Sequence, residues 1–93
     1  MSTEVAFNGA QHRYEIHVDG TLAGFTEARE GEDGVLVFPH TIILDAFEGQ
    51  GLGKVLVGRA LDDVRAQGRT IDPQCPYVRG FVERNREYGD LVA

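Results

Sequence analysis

A glycine-rich segment in the middle of the chain reads Glu48-Gly49-Gln50-Gly51-Leu52-Gly53-Lys54. Glycine at alternate positions lets the main chain come close to a ligand, because no side chain stands in the way. An amphipathic helical pattern follows at once, so free amide donors and the positive end of a helix dipole face outward here. This arrangement favours a bound phosphate. A tight loop that binds no ligand is the alternative interpretation of the same residues.

The sequence on either side gives this glycine turn, residues 48–54, a context. Upstream lies an apolar, strand-like run at residues 41–45. Downstream, apolar residues recur at helical spacing on one side of a predicted helix that ends near Gly68. These residues are Leu52, Val55, Leu56, Ala60, Leu61 and Val64. A strand, a glycine turn and a helix in that order are typical of a nucleotide or coenzyme site.

The first half of the chain predicts antiparallel strands. Residues 13–18 alternate between apolar and polar side chains, which is the period of a half-buried strand. Asp19-Gly20 follows directly and predicts a tight hairpin turn, because both central residues of that turn need a positive φ. The return strand covers residues 21–29, and residues 4–7 predict a short opening strand. Together these segments predict an antiparallel meander.

The second half predicts the remaining elements. The apolar run at residues 35–44 is interrupted by Pro39, which cannot donate to a sheet ladder and therefore marks a bulge, a bend or an unpaired edge. Residues 69–72 predict a short strand parallel to residues 41–45, which completes a right-handed β-α-β unit. Pro76 predicts the start of a short helix that ends near Asn85, with Cys75 as its N-cap. We expect this helix to bury Tyr77, Val78, Phe81 and Val82. We expect the apolar tail, Leu91 and Val92, to dock on the core.

Size and composition indicate one small globular domain that spans residues 1–93, and the order of predicted strands and helices gives it the α+β class. Hydrophobic residues make up 42% and charged residues 26% of the sequence, which separates it from disordered chains. No apolar stretch approaches the roughly 20 residues that span a bilayer, and the N-terminus lacks the basic and apolar regions of a signal peptide. We therefore expect a cytoplasmic protein with no membrane segment.

The charge and the number of metal-ligating residues exclude further classes of protein. The formal net charge is −6, and no stripe of Lys or Arg could follow a nucleic-acid backbone. An acidic surface instead suits a cationic partner such as a protonated amine. A single cysteine excludes an internal disulfide, and with three scattered histidines, His12, His17 and His40, it predicts no structural metal.

The order of predicted elements resembles that of the acyl-CoA-dependent acetyltransferases of the GNAT superfamily. More specifically, several segments resemble the short YjdJ-type N-acetyltransferases, in the same order along most of the chain. These segments are His40-Thr41, Gly49-Gln50-Gly51-Leu52-Gly53, Pro73-Gln74-Cys75-Pro76-Tyr77-Val78 and Glu87-Tyr88-Gly89-Asp90-Leu91-Val92. The superfamily turn usually begins with Arg or Gln, and Glu48 departs from that pattern. Lys54 is then the compensating positive charge.

The resemblance implies an enzyme that moves an acetyl group from acetyl-CoA to an amine, a protein amine being one option. It places the pyrophosphate of coenzyme A on the glycine turn and the pantetheine arm beside the upstream strand. The coenzyme-binding residues that it implies are Ile43, Leu44, Gln50, Gly51, Leu52, Gly53 and Lys54. The alternative is a non-catalytic module that binds coenzyme A or an acyl-CoA and acts through a protein partner.

The resemblance also implies catalytic residues. Cys75 is expected near the acetyl group, either as a nucleophile that carries it or as the acid that protonates the leaving thiolate; a small buried residue in a proline-flanked turn is the alternative. His40 is the candidate base for the amine, with an edge histidine as the alternative. Tyr77 and Tyr88 are candidate acids, although aromatic residues at such spacings more often belong to a core.

Overall fold

The computed structural model describes residues 2–93, and its strands and helices form the α+β fold that the sequence predicts. The strands are β1 (Thr3–Asn8), β2 (Arg13–Val18), β3 (Thr21–Glu27), β4 (Arg29–Glu30), β5 (Leu36–Val37), β6 (Thr41–Ile43) and β7 (Ile71–Asp72). The α-helices are α1 (Leu52–Ala66) and α2 (Pro76–Arg84). Short 3₁₀ helices cover Glu32–Gly34, Asp45–Phe47 and Arg86–Leu91.

The larger sheet is an antiparallel meander in the order β1, β2, β3, β6. Asp19 and Gly20 join β2 to β3 with φ angles of 49° and 84°, so the predicted hairpin turn is confirmed. Every second side chain of β2 is buried, namely Tyr14, Ile16 and Val18. The alternation seen in the sequence therefore fixes which face of this sheet meets the core.

The smaller sheet corrects one prediction. In it β5 lies between β4 and β7, and β7 runs parallel to β5, with Leu36 opposite Ile71. The prediction that β7 lies beside residues 41–45 is therefore wrong. The apolar run is interrupted at Pro39, which has no N–H to donate to a sheet. Beyond this break, β6 pairs with β3 alone among the described strands. The apolar run at residues 35–44 thus belongs half to one sheet and half to the other.

Helix α1 covers the core face of the larger sheet. Its buried face consists of Leu52, Gly53, Leu56, Val57, Ala60, Leu61 and Val64. Burial of a Leu or Val side chain stabilises the fold by about 1.5–3 kcal/mol, so this face is a principal source of stability. The helix begins at Leu52, directly after Gly51, as predicted. The main chain of the glycine turn is thereby fixed at the N-terminal end of a well-anchored helix.

Helix α2 has the predicted cap residues but not the whole predicted buried face. Pro76 occupies its first turn, and Cys75 and Asn85 flank its ends. Val78, Phe81 and Val82 are buried, whereas Tyr77 is 37% exposed, so its expected burial is wrong. Tyr77 leans instead over the start of α1, where its hydroxyl approaches Gly53. In the tail, Leu91 is buried as expected, while Val92 forms a bridge with Ile71 and keeps an exposed side chain.

No helix formed by residues 2–93 combines the length and the apolar character of a membrane span.

Candidate active site

One edge of β6 is free. The main-chain groups of His40 and Leu44 bond to β3, with N···O distances of 3.0 and 2.8 Å. Main-chain groups of an antiparallel strand point to alternate sides, so those of Thr41 and Ile43 face the opposite edge. No other described strand pairs with that edge. It therefore offers unpaired donors and acceptors to an extended ligand.

The glycines of the turn are required for two different reasons. Gly49 and Gly51 have φ angles of 81° and 73°, which side chains disfavour, and a Cβ at either position would meet open space. Gly53 is helical, and a Cβ there would lie 2.5 Å from the Tyr77 hydroxyl oxygen. Conformation thus selects glycine at the first two positions, and close contact selects it at the third.

The turn presents a run of adjacent amide donors without protein partners. Within residues 2–93, no side chain caps the first turn of α1, and no turn or loop hydrogen bond uses these amides as donors. The amides belong to Gly49, Gln50, Gly51, Leu52, Gly53 and Lys54. The first N–H groups of a helix lack intrahelical partners, and the helix dipole adds a partial positive charge at the same end. An anion is the ligand that satisfies such donors best.

A pocket of about 340 Å³ joins the free strand edge to the glycine turn. Its walls are Ile43 of β6, Phe47, Tyr77 and residues of the turn. Glu48 and Lys54, at the two ends of the turn, are both exposed and form no ion pair with other described residues. The pocket is therefore continuous with the glycine turn, Glu48 lines it, and Lys54 directly follows Gly53 of its wall.

A larger pocket, about 630 Å³, lies beside the smaller sheet. Its walls combine the apolar side chains of Val35 and Val37 with the carboxylates of Glu32, Asp33 and Asp72. No basic side chain lines it, and the glycine turn with its unpartnered amides lines the other pocket. This pocket suits a cation with an apolar stem rather than a diphosphate.

Cys75 lies beside the break between β5 and β6. It is 3% exposed, and its N–H donates to the carbonyl of Phe38 at 2.8 Å. Its thiol donates to Oγ1 of Thr41, with 3.5 Å between sulfur and oxygen, and that oxygen lies 2.8 Å from Oγ1 of Thr26. The sulfur is therefore held on the core face of the sheet, next to the free strand edge.

His40 lies on the opposite face of the same sheet. Its Nε2 is 3.0 Å from Oε1 of Glu27, and its ring stands edge-on to Phe25. Successive residues of a strand face opposite sides, so Thr41 points to the core and His40 to solvent. The structure does not bring the two predicted catalytic side chains, Cys75 and His40, into contact. Both lie near the strand break at Pro39, on opposite faces of the sheet.

Of the two tyrosines predicted as candidate acids, one lies at the pocket and the other lies away from it. Tyr77 lines the pocket. The Tyr88 hydroxyl donates to Asp62 of α1 at 2.7 Å, and this hydrogen bond, with partial burial, raises the pKa of Tyr88 to about 12. Asp62 lies ten residues beyond the start of α1, about 15 Å along the helix axis. Tyr88 is therefore a structural contact of α1 and not a group at the glycine turn.

No pattern in the sequence marks Thr26 or Thr41 as a site residue. Thr41 belongs to the His40-Thr41 pair that carried the resemblance, but its contact with Cys75 depends on the fold. No group of three or more metal-ligating side chains occurs in the described part of the chain, so the site is built from amides, hydroxyls, one thiol and one imidazole.

A broken antiparallel sheet joined to a strand, glycine turn and helix defines a fold of the GNAT class. In agreement, residues 13–91 match the sequence model of a family described as GCN5-related N-acetyl-transferase. The match covers most of the chain, and the protein belongs to this family. No curated protein matches the sequence.

Proposed function

We propose that this protein is an acetyl-CoA-dependent N-acetyltransferase of the short YjdJ type, with residues 1–93 forming one cytoplasmic catalytic domain. The observation that carries the proposal is the run of unpartnered amides at residues 49–54, continuous through one pocket with the free edge of β6. A diphosphate joined to an extended arm with amide groups matches both halves of this surface. Coenzyme A has that chemistry.

The residues present fit the coenzyme. The amides of Gln50, Gly51, Leu52, Gly53 and Lys54 would bind the diphosphate, because donors at a helix N-terminus stabilise phosphate charge. Thr41 and Ile43 would bond the pantetheine arm, as an added strand bonds to a sheet edge. The amide of Leu44 already donates to Ala23, so Leu44 can offer only its side chain. Of the implied coenzyme-binding residues, Leu44 therefore has the least to offer the coenzyme.

Acetyl-CoA, when bound, supplies the acetyl group as an activated thioester. An unpaired amide of β6 would stabilise negative charge on the acyl oxygen, and one well-placed donor lowers such a barrier by about 3–4 kcal/mol. His40 would accept the proton of the attacking amine at Nδ1, since Nε2 is held by Glu27. The acceptor is an amine, which suits the acidic, partly apolar pocket beside the smaller sheet.

Two roles for Cys75 follow from its place beside the strand break. As an acid it would give its proton to the leaving thiolate, and as a nucleophile it would carry the acetyl group between donor and amine. Mass spectrometry after a short incubation with acetyl-CoA separates these roles. An acetyl group on Cys75 that an added amine removes supports the nucleophile, and an unmodified but essential Cys75 supports the acid.

Binding is tested by titration of isotope-labelled protein with acetyl-CoA. We expect the amide signals of residues 49–54 to shift, with signals of β6 shifting alongside them. Acetyl-pantetheine, which lacks the diphosphate, is the matched ligand and should leave the signals of the turn nearly unchanged. Unmoved turn signals at millimolar acetyl-CoA would contradict the proposal.

The alternative function is a non-catalytic module that binds coenzyme A or an acyl-CoA and signals through a partner. Two observations favour it: Cys75 is nearly inaccessible, and His40 lies on the other face of the sheet. Release of free coenzyme A thiol with a panel of amines decides between the two. Release that is lost in Cys75→Ala or His40→Ala supports the enzyme, whereas tight binding with no release above background supports the module.

A further inference from the structure

We propose that Thr41 is a positioning residue that keeps the Cys75 sulfur hydrogen-bonded both with and without its proton, and that Thr26 holds Thr41 in place. The three side chains form a row from the core to the strand break. This inference rests on the proposed function for its catalytic consequence, and it concerns Thr26 and Thr41, to which the resemblance assigns no role.

The geometry of the row is that of a short hydrogen-bonded chain. The Cys75 sulfur lies 3.5 Å from Oγ1 of Thr41, and Oγ1 of Thr41 lies 2.8 Å from Oγ1 of Thr26. Thr26 is fully buried, and no other polar or charged side chain in residues 2–93 is buried to this degree. A polar side chain in a core is costly unless its hydrogen bonds are satisfied. The bond to Thr41 satisfies this one.

A hydroxyl group can both donate and accept, so the direction of the row can reverse. With the thiol protonated, S–H donates to Thr41, and Thr41 can donate to Thr26. When the S–H bond breaks and the proton passes to the departing thiolate, Thr41 can turn its own O–H toward the sulfur. Thr26 then donates to Thr41, and both hydroxyl hydrogens stay on their own oxygens. The sulfur keeps one partner in both states.

No other described side chain competes for the sulfur, since Thr41 is its one hydrogen-bond partner within residues 2–93. Charged groups on the adjoining elements have partners of their own. Arg79 of α2 donates to the carbonyls of Pro73 and Gln74, and the carboxylate of Asp72 accepts from the Gln74 amide. On the strand side, His40 and Glu27 pair on the opposite face.

The first test reads the S–H bond directly by Raman spectroscopy. The chain has one cysteine, so its S–H stretching band has a single source. We expect Thr41→Val, which replaces the hydroxyl by a methyl group, to shift this band to higher frequency because the hydrogen bond is lost. Thr41→Ser should retain the wild-type frequency. Thr70→Val is the control, because the Thr70 hydroxyl makes no hydrogen bond to the described residues.

The second test measures the rate at which methyl methanethiosulfonate, a small thiol reagent, modifies Cys75. Thr41→Val removes a hydrogen bond from the thiolate and a weaker one from the thiol, so the thiolate population should fall by about fivefold to tenfold. The greater nucleophilicity of a more basic thiolate offsets about half of that factor on a logarithmic scale. We therefore expect Thr41→Val to react about twofold to threefold more slowly at pH 7. The difference should disappear or reverse at high pH, where the thiol is ionised in both proteins.

Two results would overturn the inference. One is a Thr41→Val variant with the Raman frequency and pH 7 reactivity of the wild type, and the other is a Thr41→Ser variant that behaves like Thr41→Val. Thr26→Val tests the row without changing Thr41 and should shift the band in the same direction by less. Neither readout uses acetyl-CoA, so absent coenzyme binding would defeat the proposed function while leaving these results in force.

Discussion

The three glycines of the turn show how single residues determine the shape of this part of the protein. Gly49 and Gly51 provide a left-handed backbone that aims the amides outward, whereas Gly53 leaves room for Tyr77. The sequence shows only that all three are glycine. Substitution by alanine should separate the two requirements, because it strains the backbone in one case and creates a contact in the other.

At Gly51 the cost of alanine is conformational. Its φ of 73° lies in the left-handed region, which costs an L-residue about 1–2 kcal/mol. We expect Gly51→Ala to lower the free energy of unfolding in urea by about that amount. Gly89→Ala is the control, since a Cβ there meets open space and its φ is not positive. Equal stability of the two variants would contradict the conformational explanation.

At Gly53 the cost of alanine is a contact. The added Cβ would lie 2.5 Å from the hydroxyl oxygen and 2.8 Å from Cζ of Tyr77, so the partly exposed ring must move. We expect Gly53→Ala to cost about 1 kcal/mol in wild type and almost nothing in a Tyr77→Ala background. A double-mutant cycle of urea unfolding measures this difference. A cost that persists without Tyr77 would show that another contact is responsible.

At the scale of an element, the segment from β5 to β6 is the decisive one. Pro39 divides it, so Leu36 and Val37 pair with β7 while Thr41 and Ile43 keep one edge unpaired. A continuous strand would have its donors and acceptors used by β7, with no edge left for an extended ligand. The element next to it, the N-terminal turn of α1, then presents amides to the same pocket.

The charges at the rim of the glycine turn should tune coenzyme binding in opposite directions. Two unit charges about 4 Å apart in water interact by about 1 kcal/mol, which is about fivefold in affinity. We expect Lys54→Gln to weaken acetyl-CoA binding by up to about fivefold and Glu48→Gln to strengthen it similarly. Calorimetric titration at low and at high salt measures both effects, which salt should reduce. Unchanged affinity in both variants would leave the amides as the whole of the anion site.

At the scale of the molecule, two phenol–carboxylate bonds attach α1 to the rest of the fold. Tyr14 of β2 donates to Asp63 at 2.5 Å, and Tyr88 of the C-terminal 3₁₀ helix donates to Asp62 at 2.7 Å. Burial, followed by the hydrogen bond to Asp63 and its charge, raises the pKa of Tyr14. For Tyr88 the hydrogen bond to Asp62 comes first, then burial, and its pKa is about 12. Ionisation of either phenol is therefore linked to unfolding.

These raised pKa values predict a loss of stability at alkaline pH. A phenol whose pKa is higher in the folded state contributes its full stabilisation below the unfolded value of about 10 and loses it as the pH rises through the folded value. The free energy of unfolding should therefore be level near pH 8–9 and fall above about pH 10. Tyr14→Phe and Tyr88→Phe should each make the fall shallower. Tyr77→Phe, which removes a hydroxyl without a described hydrogen-bond partner, should not, and equal slopes in all variants would refute the linkage.

The sequence by itself determined both helices, the hairpin and the position of the glycine turn. Helix α1, helix α2 with Cys75 as its N-cap, and the hairpin at Asp19-Gly20 all follow from periodicity and from residues a few positions apart, because hydrogen bonds within a helix or tight turn are local. Only the tertiary structure decided that β7 pairs with β5, that His40 faces away from Cys75, and that Thr26, Thr41 and Cys75 form a row. Those outcomes depend on which distant segments meet and in what register, and no local pattern carries that information.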